Sequence, residues 1–512
     1  MAKTGSVKKR QETGTRRAPA QGPALPKALP QVAAAGLVFV AAGTVLMLEI
    51  LAVRLLAPYV GLTLETTTSI IGAALAGIAL GAAIGGYLAD RTNTRRLVVG
   101  LFILGGVLTL LTVPAVRWLG PSASGEGSLA ALGITVVALV PAAVALSAVS
   151  PAVAHIQLHD LRASGTVVGR LSAWATAGAL VGTFGTGFVI VPLLPASTAV
   201  LTVGLTLIAV GIAIGTALGM LTPAITAGML VLAVGFGALT ASAGSPCDRE
   251  TKYHCAIVEA VPGLPGDYQL ILDGGSNSLV NLNDPTDLEY RYTNWIADSV
   301  DAEFPGNRPL NGVFVGGGGF SLPRWLEATR PGSHSLGLEV DGDLVSLDEE
   351  KLGLRTSPDL EVDVGDARIT MLEVPSSSAD VVVGDAFSGY SIPWHLTTAE
   401  WLDEVRRVLK PNGIYALNII DNDPLELLEA EARTMLDGFR DVRMITEVGG
   451  GGRPIKGNAV LLGTDNPMSA SVGSSFSNAV VFKRQEVEAF AGTAAALRDD
   501  YAPADQLVTV RR

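Results

Sequence analysis

Three acidic side chains in the C-terminal half of the chain each follow a short apolar run. The first is Glu339, with Asp341 two positions later, and the others are Asp366 and Asp385. At the end of a buried strand, a carboxylate can bind ribose hydroxyls, accept a hydrogen bond from an adenine amino group, or hold an amine and accept its proton. One such acid is commonly only a helix N-cap or a surface charge. Three acids, each directly after one of several successive apolar runs, predict a nucleoside site.

A glycine cluster lies about twenty residues before the first of these acids. The apolar run 312–316 leads into the cluster, and a predicted helix follows it at 321–330. The cluster consists of Gly316, Gly317, Gly318 and Gly319. Glycines let a ligand approach the backbone, although a glycine-rich turn alone is often only a turn. Read together with the acids, it predicts a turn that passes beside a nucleoside.

The segments that must position these residues alternate between strand and helix. Strands are predicted near 312–316, 335–340, 360–364, 380–384, 412–419, 440–447 and 458–463. Helices are predicted near 321–330, 342–352, 366–373, 398–409, 424–437 and 485–497. This order is typical of a doubly wound, mostly parallel sheet, and we assign it to a nucleoside-binding α/β domain over 306–512.

A smaller part precedes this sheet. Residues 256–282 contain short apolar runs separated by Pro-Gly turn signals, which predict antiparallel strands. A helix is then predicted near 286–304, with Tyr292 on its apolar face. We assign 244–305 to this small antiparallel β hairpin region, as the N-terminal part of the soluble domain.

The N-terminal half has a different character. Residues 1–243 hold 14 Lys and Arg against 6 Asp and Glu, whereas residues 244–512 hold 22 against 42. We predict a disordered basic tail at 1–31 and a multi-pass α-helical membrane region of about seven transmembrane helices at 32–243. The apolar runs lie near 33–56, 67–88, 98–117, 129–153, 171–193, 198–218 and 222–243. The lipid bilayer is thus a predicted partner, a homo-oligomer is compatible with the sequence, and the acidic second half argues against nucleic acid.

The basic connections predict the orientation in the cell membrane. Lys and Arg concentrate in the tail, in the loop 91–96 and in the loop that holds Arg162 and Arg170. The positive-inside rule therefore predicts a cytoplasmic N-terminus. Seven spans would place the soluble domain outside, whereas six or eight would place it inside, so its side is left open.

The two cysteines of the chain, Cys247 and Cys255, follow the last apolar run directly. They would form a disulfide in an oxidising compartment, and two free thiols are an equal alternative on sequence alone. Neither has a His or Cys partner at metal-ligand spacing, so we expect no metal site there.

The order of motifs in the C-terminal half resembles the spermidine synthase (polyamine aminopropyltransferase) family. The resemblance covers about 250 residues. Within the family, the chain is most similar to the subgroup in which this domain is fused to a membrane region. The matching motifs are Leu272-Asp273-Gly274, the Val-Gly-Gly-Gly of the glycine turn, Glu339-Val340-Asp341, Gly365-Asp366-Ala367 and Asp380-Val381-Val382-Val383-Gly384-Asp385. Residues 385–398 resemble the catalytic loop of that subgroup.

The resemblance implies transfer of an aminopropyl group from decarboxylated S-adenosylmethionine to a diamine such as putrescine, giving spermidine and methylthioadenosine. It implies that Asp385 positions the amine and accepts its proton, as the catalytic residue. By the same resemblance Glu339 holds the ribose and Asp366, with Ala367, the adenine, and the nucleoside also lies against Asp341 and the turn Gly316–Gly318. Tyr290 and Pro393 line the acceptor side together with Asp385. The transfer needs no metal and no tightly bound cofactor.

Several positions depart from the family pattern on the acceptor side. Gly319 and Ser388 replace aspartates, and Arg291-Tyr292 replaces a His-Glu pair after Tyr290. Two alternatives therefore stay open. One is an S-adenosylmethionine-dependent methyltransferase-like enzyme with another acceptor, and the other is a non-catalytic module that senses a nucleoside or polyamine and is coupled to a transporter-like bundle.

Overall fold

The computed structural model describes residues 29–60, 64–123, 128–158, 164–389, 391–450, 452–472 and 479–508. The predicted basic tail lies almost wholly outside these ranges, as do Arg162 and Tyr390. The described residues form an apolar helical bundle followed by a soluble α/β region.

The bundle contains ten helices among the described residues. They are α1 (Gln31–Val60), α2 (Leu64–Arg91), α3 (Thr94–Leu119), α4 (Ser128–Ala138), α5 (Val140–Ser147), α6 (Val149–Gln157), α7 (Ser164–Gly185), α8 (Val191–Leu193), α9 (Ala196–Ala217) and α10 (Pro223–Ser242). Seven helical stretches of the described chain are long and apolar enough to cross a membrane, and α5 and α6 together form one of them. The predicted apolar run 129–153 is divided among α4, α5 and α6, because Pro141 and Pro151 lack the N–H that would continue one regular helix.

One end of the bundle is basic. Thr94, at the start of α3, lies 3.2 Å from His155 near the end of α6, and Gln157 donates a hydrogen bond to the carbonyl of Leu29. These contacts place the chain entry and the α2–α3 connection at the same end. The described cations there are Arg91, Arg95, Arg96 and Arg170.

The opposite end contacts the soluble region. Arg117, in the last turn of α3, lies 3.6 Å from the carboxylate of Glu250. Ser197, in the first turn of α9, donates to the same carboxylate from its N–H at 3.0 Å and from its hydroxyl at 2.7 Å. Arg54 of α1 donates to the carbonyl of Thr251. The soluble region is therefore attached at the end of the bundle that lies away from the basic connections.

The soluble region begins with a four-stranded antiparallel sheet. Its strands are β1 (Arg249–Glu250), β2 (Cys255–Ala260), β3 (Asp267–Leu272) and β4 (Gly275–Asn281), in that spatial order. A disulfide joins Cys247 to Cys255 with 5.3 Å between their Cα atoms, which decides between the two alternatives for these cysteines.

The second sheet has eight strands in the order β12-β10-β11-β9-β8-β5-β6-β7. Its strands are β5 (Asn311–Val315), β6 (His334–Glu339), β7 (Leu360–Val364), β8 (Ala379–Gly384), β9 (Leu409–Asp421), β10 (Asp441–Val448), β11 (Pro454–Thr464) and β12 (Val480–Phe482). The pairings from β7 to β9 are parallel, and those that involve β11 and β12 are antiparallel. The predicted mostly parallel α/β class is confirmed.

Helices cover both faces of this sheet. They are α11 (Arg291–Glu303), α12 (Ser321–Thr329), α13 (Gly342–Lys351), α14 (Ala367–Thr370), α15 (Ala399–Val408), α16 (Glu426–Gly438), α17 (Arg484–Ala491) and α18 (Ala504–Leu507). Along β8, Val382 packs into one apolar cluster, whereas Val381 and Val383 pack into the cluster on the other face. Burial on both faces explains the continuous apolar run of this strand.

The end of one predicted helix is wrong, and one short strand was not predicted. The last long helix ends at Ala491 instead of 497, because Gly492 takes a positive φ of 51° and terminates it. Strand β12 was not predicted, since it has only three residues and none of them is buried.

Close packing of small residues holds α7 against α1. A Cβ added at Gly178 would lie 2.2 Å from the carbonyl oxygen of Phe39, and one at Gly182 would lie 2.3 Å from that of Gly43. The two backbones therefore touch, as in membrane helices that associate through small residues.

We predict that Gly178→Val separates these helices and destabilises the bundle by about 1–3 kcal/mol. Gly185→Val is the matched control, because a Cβ at Gly185 meets nothing within 4 Å. Thermal unfolding of the full chain in detergent checks this. Equal loss from the two substitutions would contradict the packing of α1 on α7.

Candidate active site

The predicted site residues follow β5, β6, β7 and β8, whose carboxyl ends meet at one edge of the sheet. Backbone hydrogen bonds join these ends: Gly316 donates to Leu338 at 2.9 Å, Asp385 to Val315 at 2.8 Å, and Gly365 to Glu339 at 2.9 Å. The glycine turn and the three strand-end acids thus lie along one crevice. This is the place at which open α/β sheets bind ligands.

The glycine turn depends on glycine at its first position. Gly316 has a φ of 94°, and a Cβ there would lie 2.6 Å from the carbonyl oxygen of Asp385. The turn closes through a 2.8 Å hydrogen bond from the N–H of Phe320 to the carbonyl of Gly317. It therefore passes directly beside the strand end that carries Asp385.

Glu339 fixes the turn from the neighbouring strand. One carboxylate oxygen accepts the N–H of Gly317 at 2.6 Å, and the other accepts the N–H of Asp341 at 2.9 Å. Burial raises the pKa of Glu339, and these two N–H groups oppose the rise. A carboxylate has further lone pairs in the crevice, so ribose hydroxyls can still bind it.

The Asp341 carboxylate binds groups of the protein itself. Its carboxylate caps α13 by accepting the N–H groups of Asp343 and Leu344, and it also accepts the hydroxyl of Thr251. The side chain is only 1% exposed. Its predicted contact with the nucleoside stays a prediction.

Asp366 lies at the adenine side of the predicted site. It caps the short helix α14 by accepting the N–H of Arg368 at 2.9 Å. The imidazole of His395 lies 3.3 Å from the same carboxylate, and Ala367 beside it is buried. About half of the Asp366 side chain is exposed, so its oxygens are accessible to a ligand.

Asp385 is held by two neutral donors. The hydroxyl of Tyr292 donates to Oδ2 at 2.9 Å, and the amide of Asn418 donates to Oδ1 at 2.7 Å. Asn458 in turn donates to the oxygen of Asn418 at 3.0 Å, which fixes the amide orientation. Burial raises the pKa of Asp385 to about 6, against the opposing effect of these two donors. A carboxylate with such a pKa can accept a proton near neutral pH.

Neutral polar groups surround Tyr290, on the predicted acceptor side. Tyr290 stacks on Tyr292 with 5.9 Å between ring centroids, and its hydroxyl bonds to Ser276, which also accepts from Gln269. Because Tyr292 also donates to Asp385, its ring lies between Tyr290 and that carboxylate. Pro393 is half-buried and begins the turn that carries His395.

Sequence reasoning missed three residues of this site and one contact of a fourth. It places Tyr292 on a helical core face and among the departures on the acceptor side, but nothing in the sequence predicts that the Tyr292 hydroxyl donates to Asp385. Asn418 lies within the apolar strand β9, where a polar residue could have drawn notice. Thr251 reaches Asp341 from another sheet. Tyr253 has a raised pKa because of burial and the charges of the neighbouring acids, which places its hydroxyl near them.

Fold and site together define a methyltransferase-like α/β domain attached to an apolar helical bundle. The family model described as a methyltransferase domain matches residues 313–417.

Within that class, the C-terminal half is similar to polyamine aminopropyltransferases, and the predicted resemblance is confirmed. The polyamine aminopropyltransferase of Vibrio vulnificus (strain CMCP6) is 29% identical over 145 residues, which are 28% of this chain and 48% of that protein. The one of Chromobacterium violaceum is 23% identical over 141 residues, 28% of this chain and 53% of that protein. The chain thus spans about half the length of the curated relatives it matches.

Two solved structures are similar to this chain. A probable spermidine synthase from Corynebacterium glutamicum ATCC 13032 has 26% identity and a TM-score of 0.46, covering 49% of this chain and 95% of that one. Spermidine synthase from Thermotoga maritima has 13% identity and a TM-score of 0.34, covering 51% of this chain and 86% of that one.

We predict a pH-dependent stability difference between the wild type and Asp385→Asn. Because the folded pKa is raised to about 6, the folded state keeps the proton that the unfolded state has already lost. The wild type therefore loses roughly 2–3 kcal/mol relative to the variant as pH rises from about 4 to above 6. Thermal unfolding at several pH values measures this, and a constant difference would contradict the raised pKa.

Proposed function

We propose that the soluble domain is an aminopropyltransferase of spermidine synthase type. It takes an aminopropyl group from decarboxylated S-adenosylmethionine and transfers it to a small amine such as putrescine, which would give spermidine and methylthioadenosine. The observation that carries this proposal is the Asp385 carboxylate, which Tyr292 and Asn418 hold next to the glycine turn of a methyltransferase-like sheet. The names of the two curated relatives support it.

The residues divide the reaction between them. Glu339 would hold the ribose hydroxyls and Asp366 the adenine amino group, while the glycine turn leaves room for the nucleoside. The amine binds as an ammonium beside Asp385 and gives that carboxylate one proton. The freed nitrogen attacks the aminopropyl carbon, the carbon–sulfur bond breaks, and the thioether leaves. Tyr292 and Asn418 orient the carboxylate throughout.

Turnover by the purified full chain tests the proposal. We expect methylthioadenosine release from decarboxylated S-adenosylmethionine with small primary amines, putrescine among them. Asp385→Asn is expected to lower kcat by about 100-fold or more, since the proton acceptor is lost. Asp437→Asn makes the same change at an exposed position of α16 and is the control. Full activity of Asp385→Asn would remove Asp385 as the base.

We further propose that the N-terminus is cytoplasmic and that the soluble domain lies on the other side of the membrane. The basic end of the bundle and the end that contacts the domain are opposite, which supports this orientation under the positive-inside rule. The Cys247–Cys255 disulfide also supports it, because such bonds persist in oxidising compartments.

Thiol labelling in intact cells tests the orientation. An impermeant maleimide is expected to label Cys247, which is partly exposed, after an impermeant reductant has been added. A single cysteine at Asn93→Cys, in a background that lacks the native pair, is exposed at the basic end and is expected to stay unlabelled. The reverse pattern would place the domain in the cytoplasm.

A second candidate function follows from this orientation. A donor made in the cytosol would not reach an outside domain, whereas a module that senses a nucleoside or amine would meet its ligand there. The short strand β1 favours such coupling, because Glu250 contacts the bundle and the next residue, Thr251, contacts Asp341. Calorimetric binding of methylthioadenosine without any turnover would support this candidate over the enzyme.

A further inference from the structure

The acceptor end of the crevice is almost free of charge. The groups that bind Asp385 are the phenol of Tyr292 and the amide of Asn418, and Asn458 supports the amide. Among the described residues, no Lys, Arg or His forms an ion pair with Asp385, and no second carboxylate contributes to its pKa. Asp385 is therefore a single negative charge in a neutral polar environment.

The glycine turn offers no place for another acid. A Cβ added at Gly319 would lie 2.5 Å from Cγ2 of Val280 and 3.2 Å from Cβ of Ser278. The N–H of Gly319 also donates to the hydroxyl of Ser278 at 3.0 Å. Two residues of β4 thus occupy the space that a carboxylate at Gly319 would need.

The described groups around Tyr290 are also neutral or already paired. Tyr290, Ser276 and Gln269 form a chain of uncharged hydrogen-bonding groups. The nearby acid Glu447 is paired with Arg291, whose side chain is largely exposed. A second ammonium on the ligand would meet uncharged groups and a neutralised carboxylate, and so it would lose water without gaining a charged partner.

We propose that the preferred acceptor is a primary monoamine whose remaining part is uncharged and polar, rather than a diamine or polyamine. This rests on the proposed aminopropyl transfer. The single ammonium gives one proton to Asp385, its nitrogen forms the bond to the aminopropyl carbon, and methylthioadenosine leaves with the electrons of the broken carbon–sulfur bond. The product is a secondary amine that carries the aminopropyl group.

Matched acceptors test this with the full chain in detergent. Putrescine and aminobutanol have the same length and differ only in whether the far end carries an ammonium or a hydroxyl. We expect kcat/KM for methylthioadenosine release to be at least about tenfold higher with aminobutanol, because one unpaired charge need not be desolvated. Equal or faster turnover with putrescine would overturn the inference while leaving the transferase function intact.

A charge-restoring variant gives a second measurement. Ser388 is exposed and lies three residues after Asp385, so Ser388→Asp adds a carboxylate near the site without burying it. We expect it to shift the ratio of putrescine to aminobutanol turnover by about tenfold towards putrescine. Asn307→Asp adds the same charge before β5, at the opposite edge of the sheet, and is expected to leave the ratio unchanged.

The two failures are distinguishable. An unchanged ratio in Ser388→Asp, together with a wild-type preference for putrescine, rejects the monoamine and keeps the enzyme. No methylthioadenosine from any amine, although calorimetry shows that the nucleoside binds, rejects the transferase function and the inference together.

Discussion

The Glu339 carboxylate is the interaction on which the site depends most. Its two oxygens accept the N–H groups of Gly317 and Asp341, so one side chain ties the glycine turn after β5 to the end of β6. These N–H groups offset part of the cost of burying a carboxylate. The acid that is predicted to bind ribose therefore also shapes the turn beside which the nucleoside would lie.

The same network continues to the bundle. Asp341 accepts the hydroxyl of Thr251, and the preceding residue, Glu250, is held by Arg117 and by Ser197. Glu250 at the end of β1 thus contacts the helical region, and Thr251, directly after this strand, contacts Asp341. A shift of α3 relative to α9 would move Glu250 and, with it, the support of Asp341.

The strand ends were predictable because apolar runs, glycines and acids recur at the spacing that a doubly wound sheet requires. Glu339, Asp366 and Asp385 accordingly lie along one crevice. The partners of these acids were not predictable in the same way. Tyr292 has an aromatic ring that fits a core face, and only tertiary packing directs its hydroxyl to Asp385. The division of the run 129–153 depends on two prolines, and a mean hydropathy over the run does not reveal their effect. The disulfide depends on how closely β2 brings Cys255 to Cys247, which the spacing of the two cysteines in the sequence does not determine.

The neutral acceptor side is a property of two elements and not of one substitution. At Gly319 the turn is closed by Val280 and Ser278 of β4, so a carboxylate there would also require changes in the small antiparallel sheet. Tyr292 of α11 has a different effect, because it supplies the donor that orients Asp385. A glycine at position 319 and a neutral donor at Tyr292 both reduce the charge around Asp385. In the proposed reaction, they leave Asp385 as the one carboxylate that accepts a proton from the amine.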